Sequence, residues 1–251
     1  TKMTDFSYQL YSSRNFPPLG DTLKMAAAAG YRQVEGYGGL YADDAAIEVL
    51  KSDLSTNGLT MPTGHIGFEM LRDDPARVLE IASSLGMKAV IAPIAPGRDM
   101  DAAGWAAFAL EMAQAGKPYW DAGLQFGYHN HHFEFFDVGG DVKPIEMIMA
   151  ADPRIVLELD VAWVQKGGDD PLAWIAKYAD RLIAAHVKDI APDGECADED
   201  GWADVGHGIM DWAAIMGALG QTKAEYFVME HDNPNDDARF ARRSIDAANK
   251  F

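Results

Sequence analysis

Short apolar runs alternate with longer amphipathic segments along the whole chain. Eight runs rich in β-branched, aromatic or other apolar residues predict strands, and the segments between them carry the periodicity of helices. The predicted strands are Phe6–Ser12, Tyr31–Tyr37, Leu59–Phe68, Ala89–Ile94, Leu124–Phe136, Ile155–Val164, Leu182–Ile190 and Tyr226–His231. The predicted helices are Asp21–Ala29, Asp44–Thr56, Pro75–Leu85, Asp101–Ala115, Lys143–Ala150, Pro171–Tyr178, Asp211–Leu219 and Asp236–Ala248. This alternation, with no low-complexity linker, favours a parallel sheet with crossover helices.

Glycine marks the end of several predicted helices. Such a residue stands just before a predicted strand at Gly30, Gly58, Gly86 and Gly123. A residue without Cβ adopts a left-handed helix cap most easily. We therefore predict an α/β fold, a single (β/α)8 TIM barrel that spans residues 1–251 as one domain. A doubly wound open sheet is the alternative, but Ser12–Pro18 lacks the Gly-rich phosphate turn typical of that fold.

The charge balance limits the partners. Acidic residues outnumber basic ones by 39 to 21, and the net charge of −18 repels nucleic-acid backbones and anionic membrane surfaces. No apolar run approaches the roughly 18 residues of a membrane-spanning helix. We expect a small-molecule partner, neither nucleic acid nor membrane, with the cytoplasm as the default location. Because residue 1 is Thr, a removed targeting segment is also compatible with the sequence, as is a homo-oligomer.

Polar side chains end four consecutive predicted strands. The carboxyl ends of the strands form the active site of a parallel barrel, so these side chains are expected to lie close together. Imidazole and carboxylate groups suit one divalent ion, such as Mn²⁺, Co²⁺, Zn²⁺ or Mg²⁺. A lone His or Asp at a strand end is usually a hydrogen-bonding group, so the prediction depends on the joint pattern. The predicted ligands are His129, Asp160, His186 and Glu230.

The same segments resemble the xylose-isomerase-like superfamily of sugar phosphate isomerases and epimerases. The resemblance covers essentially the whole chain and is carried by Tyr128–His131, Leu157–Asp160, His186–Asp189 and Met229-Glu230. It implies a barrel that holds one divalent ion at the ends of strands five to eight. Many family members have Glu where this chain has His129, which makes the site less negative. The Tyr-His-x-His form is more similar to relatives that act on inososes or oxidised (keto) sugars.

The resulting hypothesis is a divalent-metal-dependent isomerase or epimerase that acts on a sugar or keto-sugar through an enediolate intermediate. The alternative is a metal-dependent lyase or dehydratase on an inosose or 3-keto-glycoside. His131 and Glu134 are candidates for the base that removes the proton. Their other interpretation is that they only hold a metal ligand in position. Lys188 is a candidate to stabilise a developing alkoxide, or to form a salt bridge with a ligand. Two other classes of protein are less favoured. A metal-dependent phosphodiesterase would need further histidine ligands near Pro93, which the sequence lacks. A non-catalytic subunit would have lost metal ligands, whereas all four predicted positions carry side chains that can bind a metal.

Four further residues are candidates for substrate binding. Glu35 and His65 have groups that hydrogen-bond sugar hydroxyls, and Trp163 offers an apolar wall for a sugar face, although such an aromatic residue is more often core. His207 is the fourth. It lies in the long segment Asp193–Gly208, which is rich in Asp and Gly and has three interpretations: a mobile lid, an interface or surface decoration.

Overall fold

In the computed structural model, residues 4–251 form a closed barrel of eight parallel strands. The strands are β1 (Phe6–Gln9), β2 (Gln33–Gly36), β3 (Thr60–His65), β4 (Ala89–Ala92), β5 (Gln125–His129), β6 (Ile155–Asp160), β7 (Leu182–Val187) and β8 (Tyr226–Met229). The barrel closes because β1 pairs with both β2 and β8. The predicted (β/α)8 TIM barrel is confirmed, while residues 1–3 of the predicted domain lie outside the described residues.

The described part of the chain has ten α-helices, of which nine lie between strands and the last follows β8. They are α1 (Leu19–Ala29), α2 (Asp44–Thr56), α3 (Phe68–Asp73), α4 (Pro75–Leu85), α5 (Ala102–Asp121), α6 (Pro144–Ala151), α7 (Val161–Lys166), α8 (Pro171–Lys177), α9 (Trp212–Leu219) and α10 (Asp237–Ala248). Eight correspond to predicted helices, and α5 continues six residues beyond its predicted end at Ala115. The short helices α3 and α7 lie at the ends of apolar runs that the pattern predicts as strands, so those two predictions are too long.

The predicted fifth strand is also too long, and the reason lies in the packing of the loop after it. Strand β5 ends at His129, and the chain then turns into the short 3-10 helix Phe133–Phe135. Phe133 and Phe135 are buried beside the barrel, so the apolar run of the sequence continues into the loop. Apolar periodicity therefore marks burial here and not extended backbone.

Glycines occupy two kinds of special position. Gly30 and Gly86 have φ angles of 111° and 75° and form the left-handed caps of α1 and α4, as the sequence predicts. Gly127 serves close packing instead, because a Cβ on this residue would lie 2.0 Å from the carbonyl oxygen of Val156. Strands β5 and β6 thus approach each other at a point where only glycine fits.

The interior of the barrel changes from apolar to polar along the strands. A small cluster of buried side chains fills the lower part, comprising Ala89, Ile91, Ile183, Ala184, Tyr226 and Val228. Side chains two residues apart share one face of a strand. On β6, Val156 packs against this apolar cluster, and the next inward positions are Glu158 and Asp160. The alternation therefore places buried carboxylates at the carboxyl ends of the strands, next to the apolar cluster.

The segment Asp193–Gly208, for which a mobile lid is one of three interpretations, is tied to the barrel by hydrogen bonds. A two-stranded antiparallel hairpin pairs Asp189–Ile190, just before the segment, with Trp202–Ala203 inside it. The buried carboxylate of Asp189 accepts hydrogen bonds from three backbone N–H groups of the returning chain and from the indole of Trp212. Mobility of this segment stays a prediction. Within residues 4–251, no helix combines the length and apolar character needed to cross a bilayer.

Candidate metal centre and substrate cavity

The four predicted metal ligands converge at the carboxyl ends of β5 to β8. The nearest ring nitrogen or carboxylate oxygen of each lies within 4.8 Å of the others, and all four residues are buried. Nε2 of His129 is 3.3 Å from Oδ2 of Asp160. Nδ1 of His186 is 3.1 Å from Oε1 of Glu230 and 3.7 Å from Oδ2 of Asp160. The structure thus brings the predicted set together, although its role as a ligand set is a proposal.

These separations fit a divalent ion at this position. Metal–ligand bonds of roughly 2.0–2.2 Å in a tetrahedron place neighbouring ligand atoms about 3.3–3.6 Å apart, close to the 3.1–3.7 Å of three of the six pairs. The tautomer of His129 also fits, because its Nδ1 is 3.1 Å from the carbonyl oxygen of Pro93. A carbonyl only accepts, so Nδ1 carries the proton and Nε2 keeps a lone pair for an ion.

Asp160 is held in place by the local fold. It is the N-cap of α7, and its Oδ1 accepts a hydrogen bond from the backbone N–H of Trp163 at 3.0 Å. This cap ends β6 and leaves Oδ2 facing His129. Burial alone would raise the pKa of Asp160, but the ammonium of Lys188 beside it holds that pKa well below its usual value. Asp160 is therefore an anion, as a metal ligand must be.

Lys188 lies among the carboxylates of the centre. Its ammonium is 3.2 Å from Asp160, 2.8 Å from Glu230 and 3.0 Å from Asp232, and its side chain is 1% exposed. Burial alone would lower the pKa of Lys188, but the three carboxylates raise it well above its usual value. Lys188 does not line the cavity. Its observed contacts are salt bridges with two predicted ligands, as in the second of its two interpretations.

A second group of ionisable side chains lies behind the four predicted ligands, inside the barrel. It consists of Glu35, His65 and Glu158, and it shares His186 with the candidate metal centre. Nε2 of His65 is 2.6 Å from Oε1 of Glu158 and 3.1 Å from Oε1 of Glu35. Burial alone would lower the pKa of His65, but these two carboxylates raise it to about 10. The sequence analysis missed Glu158, although its position two residues before Asp160 puts both on the inner face of β6.

A cavity of about 450 Å³ opens beside the centre. Five of the predicted site residues line it: His65, His129, His131, Trp163 and Glu230. The lining residues that were not predicted are Tyr11, Arg14, Tyr37, Gly38, Pro93, Ile94, Arg98, His132, Asp200 and Asp232. Of these, Asp232 follows Glu230 by two residues, so strand alternation is a signal for it. Most of the others lie in loops, where periodicity gives no signal.

Aromatic rings form one wall of the cavity. Trp163 stacks on His132 with ring centroids 4.9 Å apart, and lies 5.5 Å from His131 and 4.9 Å from Trp202. The short helix α7 carries Trp163 to this position, three residues after the cap Asp160. Burial, with His129 and Lys188 nearby, lowers the pKa of His131 to about 2, so its imidazole is neutral.

The other predicted site residues lie away from the cavity. Glu35 is fully buried and hydrogen-bonded to protein groups. Glu134 is also fully buried, because the 3-10 turn after β5 directs it inward. There it accepts hydrogen bonds from the hydroxyl of Tyr128 and the backbone N–H of His131. His207 is exposed and contacts Arg243, whose Nη2 is 3.0 Å from its Nδ1. The long hairpin thus carries His207 outward.

Comparisons with known proteins agree with this architecture. A family model, the xylose isomerase-like TIM barrel, matches residues 23–250. A sugar phosphate isomerase/epimerase from Parabacteroides distasonis is similar with a TM-score of 0.82 at 21% identity, covering 99% of this chain and 95% of that chain. The probable 3-DHS dehydratase involved in petrobactin synthesis from Bacillus anthracis has a TM-score of 0.75 at 12% identity, with coverages of 97% and 98%. D-Psicose 3-epimerase from Clostridium cellulolyticum H10 has a TM-score of 0.71 at 14% identity, with coverages of 98% and 99%. A search of curated proteins gave no match.

At identities of 12 to 21%, the likeness to solved structures concerns the fold alone. The family model is the stronger finding, because it extends from the first helix to the last and includes every residue of both buried ionisable groups. The chain therefore belongs to the xylose isomerase-like TIM barrel family.

Proposed function

We propose that the chain is a divalent-metal-dependent enzyme that removes a proton beside the carbonyl of a sugar or keto-sugar, and so isomerises or epimerises it. The observation that carries the proposal is the donor set of two imidazoles and two carboxylates beside a cavity, at separations that suit an ion. Mn²⁺, Co²⁺, Zn²⁺ and Mg²⁺ are the candidate ions. A bound ion would supply Lewis-acid polarisation of the substrate carbonyl.

The side chains of the cavity would bind the substrate and move the proton. His131 lines the cavity beside His129, with ring centroids 5.2 Å apart, and its neutral imidazole is the proposed proton acceptor. Burial lowers the pKa of the free imidazole, so this role requires the negative charge that develops on the substrate to raise that pKa. Glu134, the other candidate for the base, accepts a hydrogen bond from the backbone N–H of His131 at 2.9 Å and so positions that residue. Trp163 offers a flat apolar face on which the carbon side of a sugar ring would pack.

The size and lining of the cavity support a small polar substrate. A volume of about 450 Å³ lies in the range of small-molecule sites. Arg14 and Asp232 supply donors and acceptors at the lining, and His65 presents its ring there while its Nε2 bonds to Glu158. A sugar or cyclitol with several hydroxyl groups matches this mixture of polar and aromatic groups.

A second candidate is elimination from an inosose or a 3-keto-glycoside. The aromatic residues of the cavity favour elimination, because their flat faces could pack against a leaving group that extends beyond the reacting ring. Tyr11 and Tyr37 pack edge to face 5.4 Å apart at one part of the lining, and Trp163 lies at another. Aromatic side chains of this kind suit a second sugar ring or an aromatic aglycone.

The test is a screen of keto sugars, inososes and 3-keto-glycosides with the ion-loaded protein in deuterated water. Isomerisation or epimerisation is expected to place deuterium on the carbon beside the carbonyl, and elimination to release a hydroxyl or glycosidic leaving group. The double variant Asp160→Ala, His186→Ala is the matched inactive control. A product formed with neither exchange nor elimination, and with internal proton transfer excluded by isotope tracking, would contradict the proposal.

A further inference from the structure

The two ring nitrogens of His186 face different groups of carboxylates. Nδ1 points to the metal centre, 3.1 Å from Oε1 of Glu230. Nε2 points into the barrel, 2.7 Å from Oε1 of Glu35 and 2.9 Å from Oε1 of Glu158. All these side chains except that of Glu230 are fully buried. His186 therefore connects the metal centre to a pair of carboxylates that the cavity does not reach.

The inner carboxylates are themselves held by neighbours. Glu35 accepts hydrogen bonds from the amide of Gln9 at 2.8 Å and from the hydroxyl of Thr63 at 2.6 Å. Glu158 bonds through Oε1 to His65, while its Oε2 has no hydrogen-bond partner within residues 4–251. The ring of His65 stacks on that of His186, with centroids 5.3 Å apart and planes 9° apart. These contacts together restrict rotation of the His186 ring.

The distances around Nε2 of His186 are those of hydrogen bonds. Three of the four separations within this inner group, 2.6, 2.7 and 2.9 Å, are clearly shorter than the roughly 3.3–3.6 Å between ligands of a tetrahedral ion, and the fourth, from Nε2 of His65 to Oε1 of Glu35, is 3.1 Å. A second ion here would also need a lone pair on Nε2 of His186, and Nδ1 already faces the metal centre. The inner group is therefore suited to accept a proton from the ring and not to hold a cation.

We propose that Glu35 and Glu158 form a carboxylate brace that fixes the tautomer and orientation of His186. By accepting the Nε2–H, the carboxylate brace leaves the lone pair on Nδ1 and makes it a stronger donor for one divalent ion. The two glutamates are positioning residues, because they act through His186 and do not line the cavity. The inference rests on the metal centre of the proposed function and predicts one ion per chain.

The experiment compares two substitutions at Glu35. Glu35→Met removes the nearer of the two acceptors of the Nε2–H and leaves Glu158 at 2.9 Å, whereas Glu35→Gln keeps an oxygen toward His186 and an amide toward the hydroxyl of Thr63. Isothermal titration with Mn²⁺ alone is expected to show about 10- to 100-fold weaker binding in the Met variant and a smaller loss in the Gln variant. Asp204→Asn is the matched control, because Asp204 is a buried carboxylate that pairs with Arg239 and Arg243 instead.

A second readout reports directly on the ring of His186. In zinc-loaded protein labelled with ¹⁵N-histidine, the wild type and the Gln variant are expected to show a single Nε2–H tautomer. The variants Glu35→Met and Glu158→Met are expected to lose that signature, which a purely structural role would leave unchanged in folded protein.

Four outcomes are distinguishable. One ion per chain with weaker binding in the Met variant and rescue by Gln supports the carboxylate brace. Two ions per chain would overturn it, since the inner group would then be a cation site. Equal affinity and an unchanged tautomer in a folded double variant, Glu35→Met with Glu158→Met, would overturn it while leaving the metal centre intact. A wild type that binds no ion would overturn both the carboxylate brace and the proposed function.

Discussion

Asn130 and Asp160 exchange two hydrogen bonds across the ends of β5 and β6. The backbone N–H of Asp160 donates to Oδ1 of Asn130 at 2.9 Å, and Nδ2 of Asn130 donates to the carbonyl oxygen of Asp160 at 3.2 Å. Both residues are fully buried. Asn130 therefore sets the separation of the strands that carry His129 and Asp160.

This relationship predicts the effect of Asn130→Ala. The substitution leaves the N–H of Asp160 buried without its partner, which costs about 2 kcal/mol of unfolding free energy. It also frees the loop after β5, so we expect weaker Mn²⁺ binding. Denaturant unfolding and calorimetric titration measure the two effects. Asn249→Ala, at an exposed position, is the control, and equal stability of the Asn130→Ala variant and the wild type would contradict the assignment.

The proposed metal centre predicts the behaviour of a double variant. Asp160→Ala with His186→Ala removes one carboxylate and one imidazole from the four donors, and the remaining pair should not retain an ion. Elemental analysis after dialysis is expected to show stoichiometric metal in the wild type and none in the variant. The ligand assignment is wrong if the folded double variant keeps one ion per chain at the same site.

Gly127 predicts a large cost for a single methyl group. In Gly127→Ala the new Cβ would meet the carbonyl oxygen of Val156 at 2.0 Å, and this atom belongs to the backbone of β6 and cannot rotate away. We expect a loss of more than about 3 kcal/mol of unfolding free energy, or failure to fold.

Gly217→Ala is the matched control for this substitution. Gly217 lies in α9, is exposed, and has open space where the Cβ of an alanine would stand. Alanine there should raise stability by about 0.5–1 kcal/mol, because glycine is a poor helix former. Similar effects of the two substitutions in denaturant unfolding would refute the close approach of β5 and β6.

Hydrophobic periodicity predicted the alternation of strands and helices but not where each strand ends. Beyond Asp160 the run Val161–Val164 stays apolar, so the pattern continues while the backbone turns into α7. The signal for the turn was Asp160 itself, as a helix cap. The loop Phe133–Phe135 shows the same effect, since loops at this end of the barrel pack against the core.

The candidate site was predictable where it depends on strand ends. His129 and Glu230 converge because parallel strands finish at one edge of the barrel. The same argument could have predicted Glu158, because it lies two residues before the predicted ligand Asp160. The inward turn of Glu134 and the outward position of His207 depend on loop paths that have no periodic pattern, so neither could be predicted from periodicity.

Glu134 predicts a pH-dependent difference in stability. Burial raises the pKa of this carboxyl to about 7, even though Tyr128 and the backbone N–H of His131 lower it. Between the usual pKa near 4.5 and about 7, the folded chain holds a proton that the unfolded chain releases. The contribution of Glu134 to stability therefore falls as pH rises through this window, by about 3 kcal/mol in total.

Glu134→Gln removes the titrating group and keeps an oxygen for the backbone N–H of His131. The difference in unfolding free energy between the variant and the wild type should therefore rise with pH from about 4.5 to 7 and stay level above that range. A constant offset is expected as well, because the amide meets the hydroxyl of Tyr128 differently. Denaturant unfolding across this pH range, with a chelator present to keep metal binding out of the comparison, measures the slope. Parallel stability curves for the two proteins would show that Glu134 ionises near its ordinary pKa despite its burial.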